Sequence, residues 1–256
     1  MNKNKYVIYT CLTGNYDTLK QPLVVDDEFD YICFSNDIAS SKEGVWKIVQ
    51  IPFHCENKLV ESRFVKMQPH EVLQDYEYSV WIDANIQILK DDFYFRIKEL
   101  INKNSLIGQV NHSFPFRDCI YEEISACIEK GRISLLDGLC QFRKLKKQKY
   151  PKHFGLYENN LLLRKHNDNF VVKISNLWWN AFLDGSKRDQ FSLMPIYWRE
   201  GFLPELIFPK DKCARNVECL SCVGHKQKWV PTLSNKLAYR RDIMNKELFD
   251  ILSRFL

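Results

Sequence analysis

Nowhere in the 256 residues does an apolar run approach the roughly 18 that a membrane-spanning helix needs. The opening Met1-Asn2-Lys3-Asn4-Lys5 leads into a strand-like segment. It has neither the hydrophobic stretch nor the small-residue cleavage site of a secretory leader, so the expected location is the cytoplasm. Internal repeats, low-complexity tracts and Gly/Ser linkers are missing too, which excludes repeat arrays and makes a single domain over 1–256 the expected organisation. No RNA- or DNA-binding motif accompanies the modest net charge of +5, so no nucleic-acid partner is expected. The cysteines number nine, an odd count, and most lie in apolar segments (Cys11, Cys33, Cys119, Cys127, Cys140). In a reducing compartment they read as small buried hydrophobes and not as disulfides.

What is present is the balance of a globular protein. Apolar residues make up 45% and charged residues 27%, enough for a full core, and aromatics reach 14%. Part of the positive excess sits in one run, Arg143-Lys144-Leu145-Lys146-Lys147-Gln148-Lys149-Tyr150-Pro151-Lys152. It reads either as a solvated helix end, where cations complement the helix dipole, or as a patch for an anionic acceptor or membrane surface.

The first half alternates strand and helix patterns. Tyr6 to Leu12, Tyr31 to Phe34 and Trp46 to Ile51 are β-rich runs bounded by turn residues. Glu56 to Leu73 carries apolar residues at helical spacing, with Pro69 as a break. A buried strand Tyr78 to Trp81, a helix Asp92 to Asn102 and a strand Leu106 to Val110 follow. The second half is more helical: Asp118 to Lys130, Leu135 to Lys147, Phe170 to Phe182 and Gln190 to Arg199, with Gly155 to His166 extended. From Glu205 the pattern is irregular until a short helix near Asn245 to Phe255. This order predicts an α/β fold with a mostly parallel central sheet covered by helices on both faces.

In open α/β sheets, ligands bind beyond the carboxyl ends of the strands. One such end reads Ser79-Val80-Trp81-Ile82-Asp83-Ala84-Asn85, which resembles the D-x-D signature of GT-A glycosyltransferases. Side chains at i and i+2 on a bending strand end can both give oxygens to one divalent cation, Mn2+ or Mg2+, which neutralises a departing diphosphate. Asn85 in place of a second acid leaves the site one negative charge short. Arg63 and Lys66, three apart on one helix face, could meet diphosphate or assist Asp83; equally, they suit an exposed amphipathic face.

An ordered series of blocks strengthens the resemblance. Tyr9-Thr10-x-x-Thr13-Gly14-x-Tyr16-Asp17, Tyr31-Ile32-Cys33-Phe34-Ser35-x-Asp37, Arg63-x-x-Lys66-x-x-Pro69-His70 and Trp81-Ile82-Asp83-Ala84-Asn85 come first. His112, Arg117-Asp118-Cys119-Ile120-Tyr121-Glu122-Glu123, Gly155-Leu156-Tyr157-Glu158-Asn159, Arg164-x-His166-Asn167, Trp178-Trp179 and Arg188-Asp189-Gln190-Phe191-Ser192 continue it. Over roughly residues 5 to 200 the chain resembles a glycosyltransferase-like domain family of bacterial polysaccharide loci and plant mucilage-related and turgor-regulation proteins, and more distantly the glycogenin-like transferases.

The resemblance implies a GT-A-like fold, with residues about 1–112 binding the nucleotide and about 113–256 facing the acceptor. It implies that Thr10, Thr13 and Gly14 face the nucleotide and that Asp37 lies near base or ribose. Asp83 and Asn85 would hold metal or diphosphate. Asp189 would orient hydroxyls and Gln190 would lie near the anomeric carbon, a pairing found in retaining enzymes; Asp189 also reads as a helix N-cap. Glu158 would be an acid or base toward the acceptor, and His112 would stand at the ligand edge of the sheet. Tyr157 and Trp178-Trp179 read as sugar-stacking platforms or as core.

In the tail, His225-x-x-Lys228-Trp229 resembles the segment in which glycogenin-like enzymes complete the metal shell with a His and grip diphosphate with a Lys. The competing reading is structural Zn2+ on Cys213, Cys219 and Cys222 with His225. The expected reaction is transfer from a nucleotide-sugar, a uridine diphosphate sugar, to a saccharide or lipid-linked acceptor. Two alternatives stay open: a metal-dependent amide hydrolase acting on a sphingolipid, as one plant relative is described, with Asp83, His112 and His225 as its ligands, and a non-catalytic binding module.

Overall fold

The computed structural model describes residues 5–14, 17–112, 117–224 and 233–256. Chains of Tyr, Val and Ile open it as strand β1 (Tyr6–Cys11), followed by β2 (Phe29–Phe34), the short β3 (Lys42–Glu43) and β4 (Trp46–Val49). Helices α1 (Lys58–Met67) and α2 (Pro69–Val72) lead to β5 (Tyr78–Ile82) and β6 (Ile86–Ile88). Then come α3 (Asp92–Asn102), β7 (Ile107–Asn111), α4 (Ile120–Glu129) and α5 (Leu135–Lys147). β8 (Tyr157–Arg164), α6 (Asn169–Leu183), α7 (Gln190–Arg199), β9 (Glu205–Leu206), β10 (Leu220–Cys222) and α8 (Leu233–Leu252) complete the order.

Eight strands make one sheet in the order β3-β4-β2-β1-β5-β8-β7-β9, and β10 pairs with β6 beside it. The β4, β2, β1 and β5 strands are parallel, as are β7 and β9. β8 runs antiparallel between β5 and β7. That reversal matters for chemistry. The first residues of β8 lie beside the carboxyl ends of its neighbours, with Leu161 opposite Ile82 and Glu158 opposite Val110.

Apolar side chains alternate between two cores, one on each face of the sheet. Val7, Tyr9, Trp81 and Leu162 face the core built with α1, α4, α6 and α7. Ile8, Val80, Ile82 and Leu163 face the core built with α3. All five residues of β5 are buried, as a central strand covered on both sides requires. The expected α/β fold with a mostly parallel sheet and a helical second half is therefore present.

The expected break at Pro69 is present, because Pro69 has no N–H to continue α1 and instead opens α2. One expectation changes. The tail is more ordered than its pattern predicts, since α8 begins at Leu233 and not near Asn245. Its face toward α4 and α5 buries only Phe249 fully, while Leu237, Met244, Leu248 and Ile251 are exposed. A helix with so little inward stripe gives little periodic signal. Among the described residues no helix is long and apolar enough to cross a membrane.

Candidate active site

Helix α1 starts on a cap, Asn57 accepting from Leu59 N–H at 3.0 Å, and carries Arg63 and Lys66 toward the carboxyl edge of the sheet. At that edge β5 ends and Asp83 turns the chain: its N–H donates to Asn160 O on β8, and its carbonyl accepts from Ile86 N–H, both at 2.9 Å. Asp189 stands directly before α7. The three elements meet at one ammonium group. Lys66 Nζ lies 2.8 Å from Asp189 Oδ2 and 3.5 Å from Asp83 Oδ1, and Arg63 Nε is 3.5 Å from the same Asp189 oxygen.

Lys66 is only 2% exposed, and the two carboxylates offset the cost of burying it. The Trp81 ring centre lies 5.3 Å from its Nζ, adding a cation–π contact, while the Trp81 indole N–H donates to Asp83 Oδ1 at 2.7 Å. The two carboxylates differ in access: the Asp189 side chain is 11% exposed and that of Asp83 37%. Burial alone would raise the Asp189 carboxyl, but Lys66, Arg63 and Arg188 outweigh it and hold it far below the carboxylate range. Asp189 is thus ionised, with Lys66 and Arg63 both on its Oδ2. It stands at the N-cap position of α7 but makes no cap hydrogen bond with its side chain, which goes instead to the ion pairs.

Gln190 sits next to it, its amide donating to Tyr157 O at the start of β8. Glu158, nearly buried, accepts from Asn160 Nδ2 at 2.7 Å and faces Arg215 Nε at 3.5 Å. His112, just past β7, belongs to another network. Its Nε2 is 3.3 Å from Glu123 Oε2, which also takes Arg117 Nε at 2.8 Å. Burial would raise Glu123, but His112 and Arg117 bring it down to about 2. Asp83 and His112 therefore lie in separate networks, and the hydrolase reading finds no three-ligand centre from them among the described residues.

Beyond β1 and β2 lies a recess lined in part by Leu12, Thr13, Asp17, Ser35, Asp37 and Ile38. Thr13 and Asp37 thus share one recess beyond the ends of β1 and β2. Thr10 is 1% exposed and lies inside the strand, away from the recess lining. Gly14 adopts φ +67, and its N–H donates to Asp37 Oδ2, so this amide ties two loops together. Trp178 is core, and Trp179 packs on Phe53 and Phe64, so the core reading of the pair holds. The lysines of the basic run close the last turn of α5, where they complement its dipole.

For a divalent cation, Asp83 and Asn85 offer two oxygens. The bonds of Asp83 use Oδ1, and the Asn85 side chain donates through Nδ2 to Val223 O at 3.0 Å, so Asp83 Oδ2 and Asn85 Oδ1 fit a hard cation. His225 and Lys228 lie outside the described residues. Of the expected zinc ligands, Cys213, Cys219 and Cys222 do not form a group with all three sulfurs within 4.8 Å of one another, Cys222 Sγ donates to Ala214 O at 3.2 Å, and His225 lies outside the described residues. Tetrahedral thiolate ligands need closer approach. Sequence reasoning assigned no role to Trp81, Arg215 or the Arg117–Glu123 pair, although all of these but Arg215 lay in the quoted blocks. A tryptophan two residues before a strand-end acid was the available signal.

The sheet edge gathers two carboxylates around a buried lysine, a recess lies beyond β1 and β2, and the family match below makes this α/β domain one of the glycosyltransferase-like class. The chain belongs to the TOD1/MUCI70, glycosyltransferase-like domain family, whose model matches residues 1–208. It is 24% identical over 170 residues to "Probable hexosyltransferase MUCI70" of Arabidopsis thaliana, covering 61% of this chain and 28% of that protein. The chain therefore spans less than a third of that relative's length. Among solved structures, mouse xyloside xylosyltransferase 1 aligns with a TM-score of 0.49 and 10% identity, over 89% of this chain and 99% of its own. The galactosyltransferase LgtC with donor and acceptor sugar analogs aligns at 0.48 and 10%, over 87% and 86%.

Proposed function

We propose that this domain transfers a hexosyl group from a nucleotide-sugar, a uridine diphosphate sugar, to a saccharide or lipid-linked acceptor on the cytoplasmic side of the membrane. Residues about 1–112 serve the donor and about 113–256 the acceptor, within one catalytic unit. The observation that carries the reading is the Lys66 ammonium shared by Asp83 and Asp189 at the carboxyl edge of the sheet.

In the reaction, the bond from the anomeric carbon to the diphosphate oxygen breaks and a bond to an acceptor hydroxyl oxygen forms, with that hydroxyl's proton released. The developing charge is on the diphosphate. Arg63 and Lys66 supply fixed positive charge toward it, in a partly dry site where such charge is most effective, and Lys228, outside the described residues, would add to it. A divalent cation held by Asp83, Asn85 and His225 supplies further neutralisation when bound. Thr13 and Asp37 face the nucleoside in the recess, and Thr10 supports that loop from within β1. Asp189, held ionised, accepts from donor or acceptor hydroxyls, and Gln190 keeps its carboxamide oxygen toward the anomeric carbon. Glu158 and His112 line the acceptor side, and the basic end of α5 meets an anionic acceptor or membrane surface.

Thermal denaturation with uridine and guanosine diphosphates, with and without Mn2+, tests the reading. The uridine nucleotide should raise the melting temperature, more so with Mn2+, and donor turnover should fall about a hundredfold in Asp83→Ala. Failure of every nucleotide to stabilise the protein would overturn it.

A further inference from the structure

Away from the charged cluster, a second set of chemically distinct donors converges where the chain enters α4. One ligand atom each of Cys119, Glu122 and His153 lies within 4.8 Å of the others. Cys119 is the residue before α4, and Glu122 follows at i+3 on the same helix face. His153 comes from the loop before β8, in a left-handed backbone conformation (φ 55) that non-glycine residues adopt only when neighbours enforce it. Here they do. Gly155 N–H donates to Asp118 O at 3.0 Å, and Tyr121 Oη donates to Tyr150 O at 2.7 Å, fastening the loop to α4 on both sides of the histidine.

The histidine is also oriented. Asp118 Oδ1 stands 2.7 Å from His153 Nδ1, which leaves Nε2 as the ligating nitrogen. A carboxylate behind a metal-binding imidazole fixes its tautomer and raises its basicity. Thiolate, imidazole and carboxylate together form the donor set of zinc, and three protein ligands leave a fourth position for water.

We propose that Cys119, Glu122 and His153 bind a zinc ion, with Asp118 positioning His153. The ion clamps the entry of α4 to the loop that feeds Tyr157 and Glu158 into the sheet edge. This site is independent of the glycosyl-transfer reading and uses none of its residues.

The experiment is a Co2+ titration of the metal-free full chain, followed by its absorption spectrum. Thiolate-to-cobalt charge transfer together with tetrahedral ligand-field bands is expected at one equivalent. A cation on Asp83 and Asn85 has no thiolate ligand and gives no such charge-transfer band, so donor-site failure and failure here are separable. Cys119→Ser and the surface change His153→Gln should each abolish the band, Cys222→Ser should retain it, and Asp118→Asn should weaken Co2+ binding about 10–100-fold. Zn2+ should raise the melting temperature of the parent chain and leave His153→Gln unmoved, a comparison that needs no buried substitution. Absence of the band, its survival in His153→Gln, or its loss in Cys222→Ser would overturn the proposal.

Discussion

Lys66 is the residue on which the charged site turns. Its ammonium is enclosed, and its partners differ: Asp189 is buried with it, while Asp83 opens to solvent. Removing one member of a buried pair leaves the other charge uncompensated, which costs about 3–5 kcal/mol. Lys66→Met leaves Asp189 with Arg63 Nε at 3.5 Å, so the loss should fall near the lower end, about 3 kcal/mol in urea denaturation. Adding Asp189→Asn to that variant removes the orphaned charge and should recover most of the stability. On the proposed reading transfer activity should not return, because the charges assigned to the diphosphate and to the sugar hydroxyls are then both gone. Full activity in the double variant would show that the pair only builds structure.

At the scale of elements, α1 matters because it holds Arg63 and Lys66 in register with β5. Its first turn depends on Asn57, whose side chain accepts from Leu59 N–H. Asn57→Ala should lower stability by about 1 kcal/mol, seen as a lower urea midpoint with an unchanged slope. A larger loss would mean that the cap also secures the loop before it. Helix α1 was legible in the sequence because apolar residues recur along it without glycine, and Val60, Val65 and Met67 are all buried. β5 was legible as an apolar run ending in Asp83. The reversal of β8 was not legible, since a strand buried on both faces looks the same in either direction and only its partners define it. The pairing of Asp189 with Lys66 was hidden for a related reason. The two are 123 residues apart, and sequence offered each a local explanation, a helix cap and an amphipathic face, that tertiary contact displaced. Asp37 shows the opposite case: its place after a strand end was enough to put it at the recess.

For the whole molecule, stability should depend on acid in two windows. His166 is fully buried, with Nε2 2.9 Å from Leu73 O, and burial, aided by the nearby Arg164 charge, lowers it from 6.5 to about 4. Between these values the unfolded chain binds a proton that the folded chain refuses, so stability is complete above about 6.5 and is lost as pH falls toward 4. The interval corresponds to about 3 kcal/mol. Glu123 acts lower. Its folded value of about 2 against 4.5 means that its contribution holds above 4.5 and disappears as pH falls from there toward 2. Urea midpoints should therefore be level from pH 8 to 7, decline between 6.5 and 4, and decline again below 4.5. His166→Gln keeps a side chain able to donate to Leu73 O but removes the titration, so it should flatten the upper decline and leave the lower one. Glu123→Gln should leave the upper decline in place and reduce the lower one without removing it, because Asp189 and Glu61 are also held below their ordinary values and keep contributing there. An upper decline that persists unchanged in His166→Gln would place that proton uptake on another group and detach acid sensitivity from the buried end of β8.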